Sequence, residues 1–123
     1  MSSTPQFHIG YADGVNRCSQ NAASASWVIF NPSNKFLDSR VIFLGHVTNN
    51  LVEYEAVITL MTNTSALGIR SLVVRLDSKL IISQLTSRYY VRHPVLYRKY
   101  LRVHFLECLF DFISYEHIPR TLN

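Results

Sequence analysis

No apolar run in this 123-residue sequence reaches the roughly 18 residues that a membrane-spanning helix needs. Residues 1–6 are polar and contain neither the apolar core of a signal peptide nor the arginine-rich pattern of a transit peptide. Cysteine is scarce as well, and the separation of Cys18 from Cys108 matches no metal-binding pattern. These absences predict an intracellular, reducing setting without a membrane span. Cys108 lies in an apolar helical pattern, which predicts a buried free thiol.

Internal repeats, low-complexity segments and linkers are also absent. The length suits one domain with one core, covering residues 1–123. A hydrophobic content of 48% argues against disorder. Acidic residues are few, with 8 against 12 basic ones, and nine of the basic residues lie between Arg70 and Arg120. The resulting charge of +4 is compatible with a polyanionic partner but does not by itself identify one.

What the sequence does contain is a regular succession of strand-like and helix-like patterns. A turn signal at residues 31–34 joins two strands in a hairpin, and residues 15–26 are predicted to be a loop or a frayed strand entry. Strands are predicted at 7–12, 27–30, 36–44, 71–76 and 113–118, and helices at about 48–67, 79–86 and 94–112. Because helical crossovers connect parallel neighbours, this βββαβααβ order predicts an α/β fold. Its mixed five-stranded sheet has three antiparallel strands plus two parallel ones.

Three carboxylates are predicted to meet at one edge of this sheet. On a helical wheel Glu53 falls on the apolar side of the first helix, whereas Glu55 falls on the opposite side. Asp13 and Asp77 follow the first and fourth strands, whose carboxyl ends lie side by side if those strands are parallel neighbours. Like charges this close repel, and a divalent cation such as Mg²⁺, which prefers oxygen ligands, relieves the repulsion. The pattern therefore predicts a present or former metal site.

Each carboxylate also has a simpler explanation. Asp13 with Gly14 is a common turn sequence. Asp77 is suited to cap the short helix that follows it. Glu53 lies close enough to a helix start to complement the helix dipole. The residues alone leave these alternatives open.

Five short motifs resemble those of the type 1 ribonuclease H domain, in the form found in plant and archaeal-like proteins and in retroelement polyproteins. The resemblance covers nearly the whole chain, in order and at matching spacing, with Val52 where the family usually has alanine. The motifs are residues 11–14 (YADG), 48–54 (TNNLVEY), 76–78 (LDS), 91–94 (VRHP), and 117–120 (HIPR) with Asn123.

Members of this family cleave the RNA strand of RNA/DNA hybrids with two divalent metal ions, and the resemblance implies the same activity here. It implies Mg²⁺ or Mn²⁺ as the cofactor and an RNA/DNA hybrid as the partner, read by its 2′-hydroxyls and shape. The implied catalytic residues and metal ligands are Asp13, Glu53 and Asp77. The implied nucleic-acid-binding residues are Thr48, Asn49, Asn50, Ser78 and Lys79.

The chain also departs from the family pattern. The fourth aspartate of the family, carried on a final helix, would lie four residues beyond Asn123. Residues 18–26 contain no glycine where the family has a glycine-rich loop, Leu76 replaces a frequent glycine, and Lys79 stands where glutamine is common.

These departures leave two expectations. If the natural protein continues past Asn123, the domain is expected to be an ordinary or weakened nuclease. If it ends there, the alternative is a catalytically inactive, retroelement-derived module that acts through protein–protein contact. The sheet face without its final helix would then contact a protein partner or a second copy of the chain.

Overall fold

The computed structural model describes residues 6–17, 22–86 and 90–119. Its elements follow the predicted order βββαβααβ. The predicted features at Cys18 and at residues 120–123 lie outside the described residues. The elements are β1 (His8–Arg17), β2 (Ala22–Phe30), β3 (Phe36–Gly45), α1 (Asn49–Ala66), β4 (Ser71–Leu76), α2 (Lys79–Leu85), α3 (Pro94–Glu107) and β5 (Phe112–His117).

The five strands form one mixed sheet in the spatial order β3-β2-β1-β4-β5. β1 pairs antiparallel with β2, and β2 pairs antiparallel with β3. β4 lies parallel to β1 and to β5. The predicted fold class, with an antiparallel part and a parallel part, is therefore confirmed. The parallel pairing of β1 with β4 ends at Tyr11 and Arg75, so Asp13 and Asp77 both follow it at the same place, although β1 itself continues to Arg17.

Burial along the strands follows the side-chain alternation of a sheet covered on one face. In β2 every second residue is buried under α1, and these residues are Ala23, Ala25, Trp27 and Ile29. β4 lies inside the sheet between β1 and β5 and is buried more completely, with Leu72, Val73 and Val74 in succession. That continuous apolar run is typical of a strand flanked by parallel neighbours.

Helix α1 begins and ends where the sequence predicts. The Thr48 hydroxyl accepts a hydrogen bond from the Leu51 N–H at 3.4 Å, and Gly68 follows the helix with a φ of 80°. A positive φ is the conformation that glycine adopts most readily, so Gly68 can end the helix without strain. The buried face of α1 lies on β1 and β2 and includes Val57, Leu60 and Met61.

Three local predictions are wrong. β1 continues to Arg17, because its antiparallel pairing with β2 extends through the polar segment to Ala22. α3 ends at Glu107, so Cys108 lies past the helix and is exposed rather than buried. On the helical wheel Leu67 falls on the same apolar side as Glu53, which predicts a buried residue, but it is the C-cap of α1 and is 53% exposed.

The helices that the structure describes pack on one side of the sheet. The opposite face, which carries Val28, Val41 and Phe43, is open, and Phe43 is 82% exposed. β3, which carries Val41 and Phe43, is an edge strand of the sheet. Among the described residues, no helix is both long and apolar enough to cross a membrane.

Candidate metal centre

Three elements bring Asp13, Glu53 and Asp77 together. Asp13 lies within β1, Glu53 in the second turn of α1, and Asp77 directly after β4. One carboxylate oxygen from each lies within 4.8 Å of the other two. The cluster that the sequence predicted is therefore present in the structure, where the parallel pairing of β1 with β4 ends.

The simpler explanations for the two aspartates do not hold. Asp13 pairs with Ser26 inside the β1–β2 ladder, so no turn forms at Asp13. Asp77 does not cap α2, because the cap is Ser78, whose hydroxyl accepts a hydrogen bond from the Ile81 N–H at 3.3 Å.

Glu53 is carried by α1 and is held in place by a hydrogen bond from β1. Its side chain is buried, with 7% exposure, which confirms the inward orientation expected from the helical wheel. Its Oε1 accepts a hydrogen bond from the backbone N–H of Gly14 at 3.0 Å. Because this donor belongs to β1, the strand fixes the position of a carboxylate that the helix carries.

Gly14 also allows α1 to approach β1 closely. A Cβ atom at Gly14 would lie 2.6 Å from Cγ1 of Val52 and 3.0 Å from the backbone nitrogen of Glu53. Both distances are shorter than ordinary van der Waals contact, so the missing side chain is part of the packing. The sequence does not predict this role, since the Asp-Gly pair indicates only a turn and the contact depends on α1.

A polar pocket of about 370 Å³ opens beside the cluster. Glu53 and Asp77 line it together with Gly14, Val15, Asn49, Asn50 and Ser78. The structure thus brings three of the predicted nucleic-acid-binding residues, Asn49, Asn50 and Ser78, to the carboxylates. Thr48 and Lys79 are exposed at the starts of α1 and α2 and do not line this pocket.

The donor set fits a divalent cation. Three carboxylates with oxygens this close repel one another, and a cation between them removes that repulsion. The ligand atoms are all oxygens, which hard ions such as Mg²⁺ and Mn²⁺ prefer over nitrogen and sulfur. A few carboxylates from the protein leave room for water and substrate oxygens, as Mg²⁺ sites usually require.

A polar cluster behind the site, Tyr11, Arg75 and Glu116, was not predicted. Arg75 donates hydrogen bonds to the Tyr11 hydroxyl at 2.9 Å and to Glu116 Oε1 at 2.9 Å. The three residues join β1, β4 and β5 two positions before Asp13 and Asp77. The only sequence signal is that Tyr11 and Arg75 precede their aspartates by two residues, which places each on the same strand face as its aspartate.

Known proteins resemble this chain in sequence. Residues 11–123 match the family described as reverse transcriptase-like. Ribonuclease HI of Halobacterium salinarum is 32% identical over 113 residues, which cover 92% of this chain and 57% of that protein. The bifunctional protein Rv2228c of Mycobacterium tuberculosis is 32% identical over 113 residues, covering 91% of this chain and 31% of that protein. The chain thus spans less than two thirds of the length of these relatives.

Solved structures resemble it in fold. RNase H1 from Halobacterium salinarum matches with a TM-score of 0.88 at 31% identity, covering 94% of this chain and 87% of that one. The N-terminal RNase H domain of rv2228c from Mycobacterium tuberculosis gives 0.90 at 30% identity, covering 97% and 86%. LC11-RNase H1, isolated from compost and in complex with an RNA/DNA hybrid, gives 0.86 at 29% identity, covering 94% and 88%. By motif, sequence and fold, the chain belongs to the reverse transcriptase-like family and is a type 1 ribonuclease H domain.

Proposed function

We propose that this domain is a metal-dependent endoribonuclease that cleaves the RNA strand of RNA/DNA hybrids. The observation that carries the proposal is the cluster of Asp13, Glu53 and Asp77, whose oxygens lie within 4.8 Å of one another. The structural likeness to LC11-RNase H1, which is in complex with an RNA/DNA hybrid, supports the choice of substrate.

In this proposal the three carboxylates are the catalytic residues and hold Mg²⁺ or Mn²⁺. When bound, such ions polarise the scissile phosphate and lower the pKa of water so that it can attack. The contribution of the chain is to fix the ligands before substrate arrives. The Gly14 N–H orients Glu53, and the two parallel strands set the separation of the aspartates.

The polar residues beside the carboxylates are proposed to bind the hybrid. Asn49 and Asn50 project from the start of α1 into the pocket, where an amide can donate to and accept from 2′-hydroxyls and base edges in a minor groove. Ser78 lines the same pocket from the start of α2. Thr48 and Lys79 are exposed beside them, and we assign these two to phosphate contacts.

Replacement of one ligand tests the proposal. Asp13→Asn keeps the shape of the side chain and removes its charge, so we expect cleavage of a labelled hybrid in Mg²⁺ or Mn²⁺ to fall by more than about 100-fold. Asp38→Asn is the matched control, since Asp38 lies on β3 outside the cluster, and its cleavage rate should equal that of the unmodified chain. Equal rates for both variants, or no metal-dependent cleavage by the unmodified chain, would exclude the nuclease.

The open sheet face favours a second candidate function, that of a catalytically inactive module that acts through protein contact. Val41 and Phe43 are 57% and 82% exposed on this face, and large exposed apolar side chains often mark interaction sites. If this candidate is right, the chain does not cleave hybrids but self-associates or captures a protein partner in sizing chromatography. Val41→Lys combined with Phe43→Lys should then abolish the association, and a monomer that cleaves hybrids contradicts it.

A further inference from the structure

A second groove lies on the helical side of the molecule, between α1 and α3. It has a volume of about 490 Å³ and is separate from the carboxylate pocket. Its lining combines apolar and charged side chains, and the residues are Glu55, Ile58, Val95, Arg98, Lys99 and Arg102.

The groove keeps a net positive charge after the ion pair between Lys99 and Glu55 is subtracted. Lys99 Nζ lies 2.5 Å from Glu55 Oε1, and this pair joins the two helices. Arg98 and Arg102 are both exposed, and neither forms a salt bridge with any residue in the described ranges 6–17, 22–86 and 90–119. Two cations are therefore available to a ligand.

The spacing of the two arginines also points to an anionic ligand. Residues four apart on a helix lie on the same face, so Arg98 and Arg102 stand next to each other and repel in the free protein. A chain of anions that passes along α3 removes this repulsion. The guanidinium group suits phosphate in particular, because its planar set of donors can bind two phosphate oxygens at once.

The apolar part of the groove narrows the class of ligand. Val95 is 40% exposed beside the arginines, and Ile58 lies below them with 8% exposure. An apolar surface beside the arginines suits the unpaired bases of a single strand, which can pack against aliphatic side chains and stack on guanidinium planes. Paired bases in a duplex are stacked on each other and do not offer their faces in this way.

We propose that the groove between α1 and α3 binds single-stranded nucleic acid. Arg98 and Arg102 contact its phosphates, while Ile58 and Val95 contact its bases. Ile58 is nine residues along α1 from Asn49, which is about 13 Å along the helix axis and half a turn around it, so the groove and the carboxylate pocket lie on opposite sides of α1.

The test measures binding of a labelled single strand of about 20 nucleotides by fluorescence anisotropy, over a range of salt concentrations. EDTA is present throughout, so the result does not depend on metal or on cleavage. For the double variant Arg98→Gln/Arg102→Gln we expect about tenfold weaker binding at low salt. The slope of log affinity against log salt should fall by about 1.4, or about 0.7 for each lost phosphate contact.

Two further variants separate site-specific contacts from net charge. Lys35→Gln/Arg70→Gln removes the same charge at the far end of the sheet, where Lys35 is in the β2–β3 turn and Arg70 pairs with Asp111. It should keep both the affinity and the slope. Arg98→Lys/Arg102→Lys should keep most of the slope, because the phosphate charges still have partners.

Several outcomes would overturn the proposal. The proposal is wrong if the unmodified chain does not bind the strand. It is also wrong if Lys35→Gln/Arg70→Gln loses as much affinity as Arg98→Gln/Arg102→Gln. A polyglutamate peptide of matched charge that competes as well as the nucleic acid would also overturn it, because the groove would then be a site for acidic polypeptides. Loss of hybrid cleavage in Asp13→Asn leaves this measurement unchanged, so the nuclease proposal and this one can fail separately.

Discussion

At the scale of single residues, the sequence carries enough information to find the three clustered carboxylates but not what positions them. The helical phase of Glu53 and the position of Asp77 after β4 depend on regular local geometry, which a pattern can reveal. Asp13 was expected at the end of its strand, but β1 continues to Arg17 and Asp13 lies within it. The hydrogen bond from Gly14 to Glu53 joins residues 39 apart and exists only after α1 has packed on β1. No local pattern can specify such a contact, and for that reason Gly14 appeared as a turn residue.

The role of Gly14 gives a prediction with a control in the same strand. Gly14→Ala places a methyl group against Val52 and the backbone of Glu53, so the first turns of α1 must move away from β1. We expect Mn²⁺ affinity to fall by about tenfold or more, as when other groups that orient metal ligands are removed. Titration with Mn²⁺ well below the unfolding temperature measures this.

Gly10→Ala is the comparison for that experiment. A Cβ atom at Gly10 would lie 2.7 Å from a side-chain methyl of Leu60, far from the carboxylates, so only packing in the core is disturbed. This variant should lower the thermal stability and keep the Mn²⁺ affinity. If both variants lose stability while Mn²⁺ affinity stays normal, Gly14 has no positioning role.

At the scale of elements, most boundaries follow from local signals, and the early end of α3 is an exception with an identifiable physical cause. Apolar residues continue the helical pattern beyond Glu107 as far as Phe110. The structure instead forms a turn there, and the Asp111 N–H donates to the Arg70 carbonyl at 2.8 Å. Pairing of β5 with β4 thus ends α3, and a partner some 40 residues earlier in the chain is invisible to periodicity.

Thr48 has two possible functions, capping α1 and contacting phosphate, and substitutions can separate them. Thr48→Ala removes the α1 cap, which should cost about 1 kcal/mol in the free energy of unfolding and weaken hybrid binding through fraying near Asn49. Thr48→Asp restores a cap but adds a negative charge. It should recover the stability while hybrid binding, measured in Ca²⁺, stays weak because phosphate is repelled. Full recovery of binding by Thr48→Asp would show that Thr48 acts only as a cap.

At the scale of the whole molecule, two tyrosines, Tyr54 and Tyr115, make the free energy of unfolding depend on pH. The pKa of Tyr54 is raised above its ordinary value of 10.0, mainly by burial and to a smaller extent by the nearby Tyr100. The Tyr54 hydroxyl donates a hydrogen bond to Gln84 Oε1 at 2.6 Å. Burial, followed by a hydrogen bond to Glu107, raises the pKa of Tyr115 from the same value. Both hydroxyls therefore keep their protons in the folded chain when the unfolded chain has lost them.

The sign of the resulting pH dependence follows directly. Below pH 10 both states are protonated at these two groups and the stability they contribute is fully present. Above pH 10 only the unfolded state releases the protons, so the free energy of unfolding should fall by about 1.4 kcal/mol per pH unit for each group. Urea unfolding between pH 8 and about 11 measures the slope.

Tyr54→Phe tests the assignment of that slope to buried hydroxyls. The variant should lose about half of the alkaline decrease, because one of the two groups no longer titrates. Tyr90→Phe is the control, since Tyr90 is 82% exposed, and it should keep the full decrease. An unchanged slope in Tyr54→Phe would contradict the assignment.

The parallel pairing of β1 with β4 has a consequence for the order of folding. β1, β2 and β3 are consecutive hairpins whose contacts are local, whereas Tyr11 and Arg75, neighbours across β1 and β4, are 64 residues apart. Closing that long loop costs more chain entropy than closing a hairpin, so the hairpins can form first. On the ribosome, Asp13 and Glu53 emerge well before Asp77. The carboxylate cluster is therefore completed late, and if it holds a metal ion as proposed, ion affinity during refolding should report arrival at the native topology.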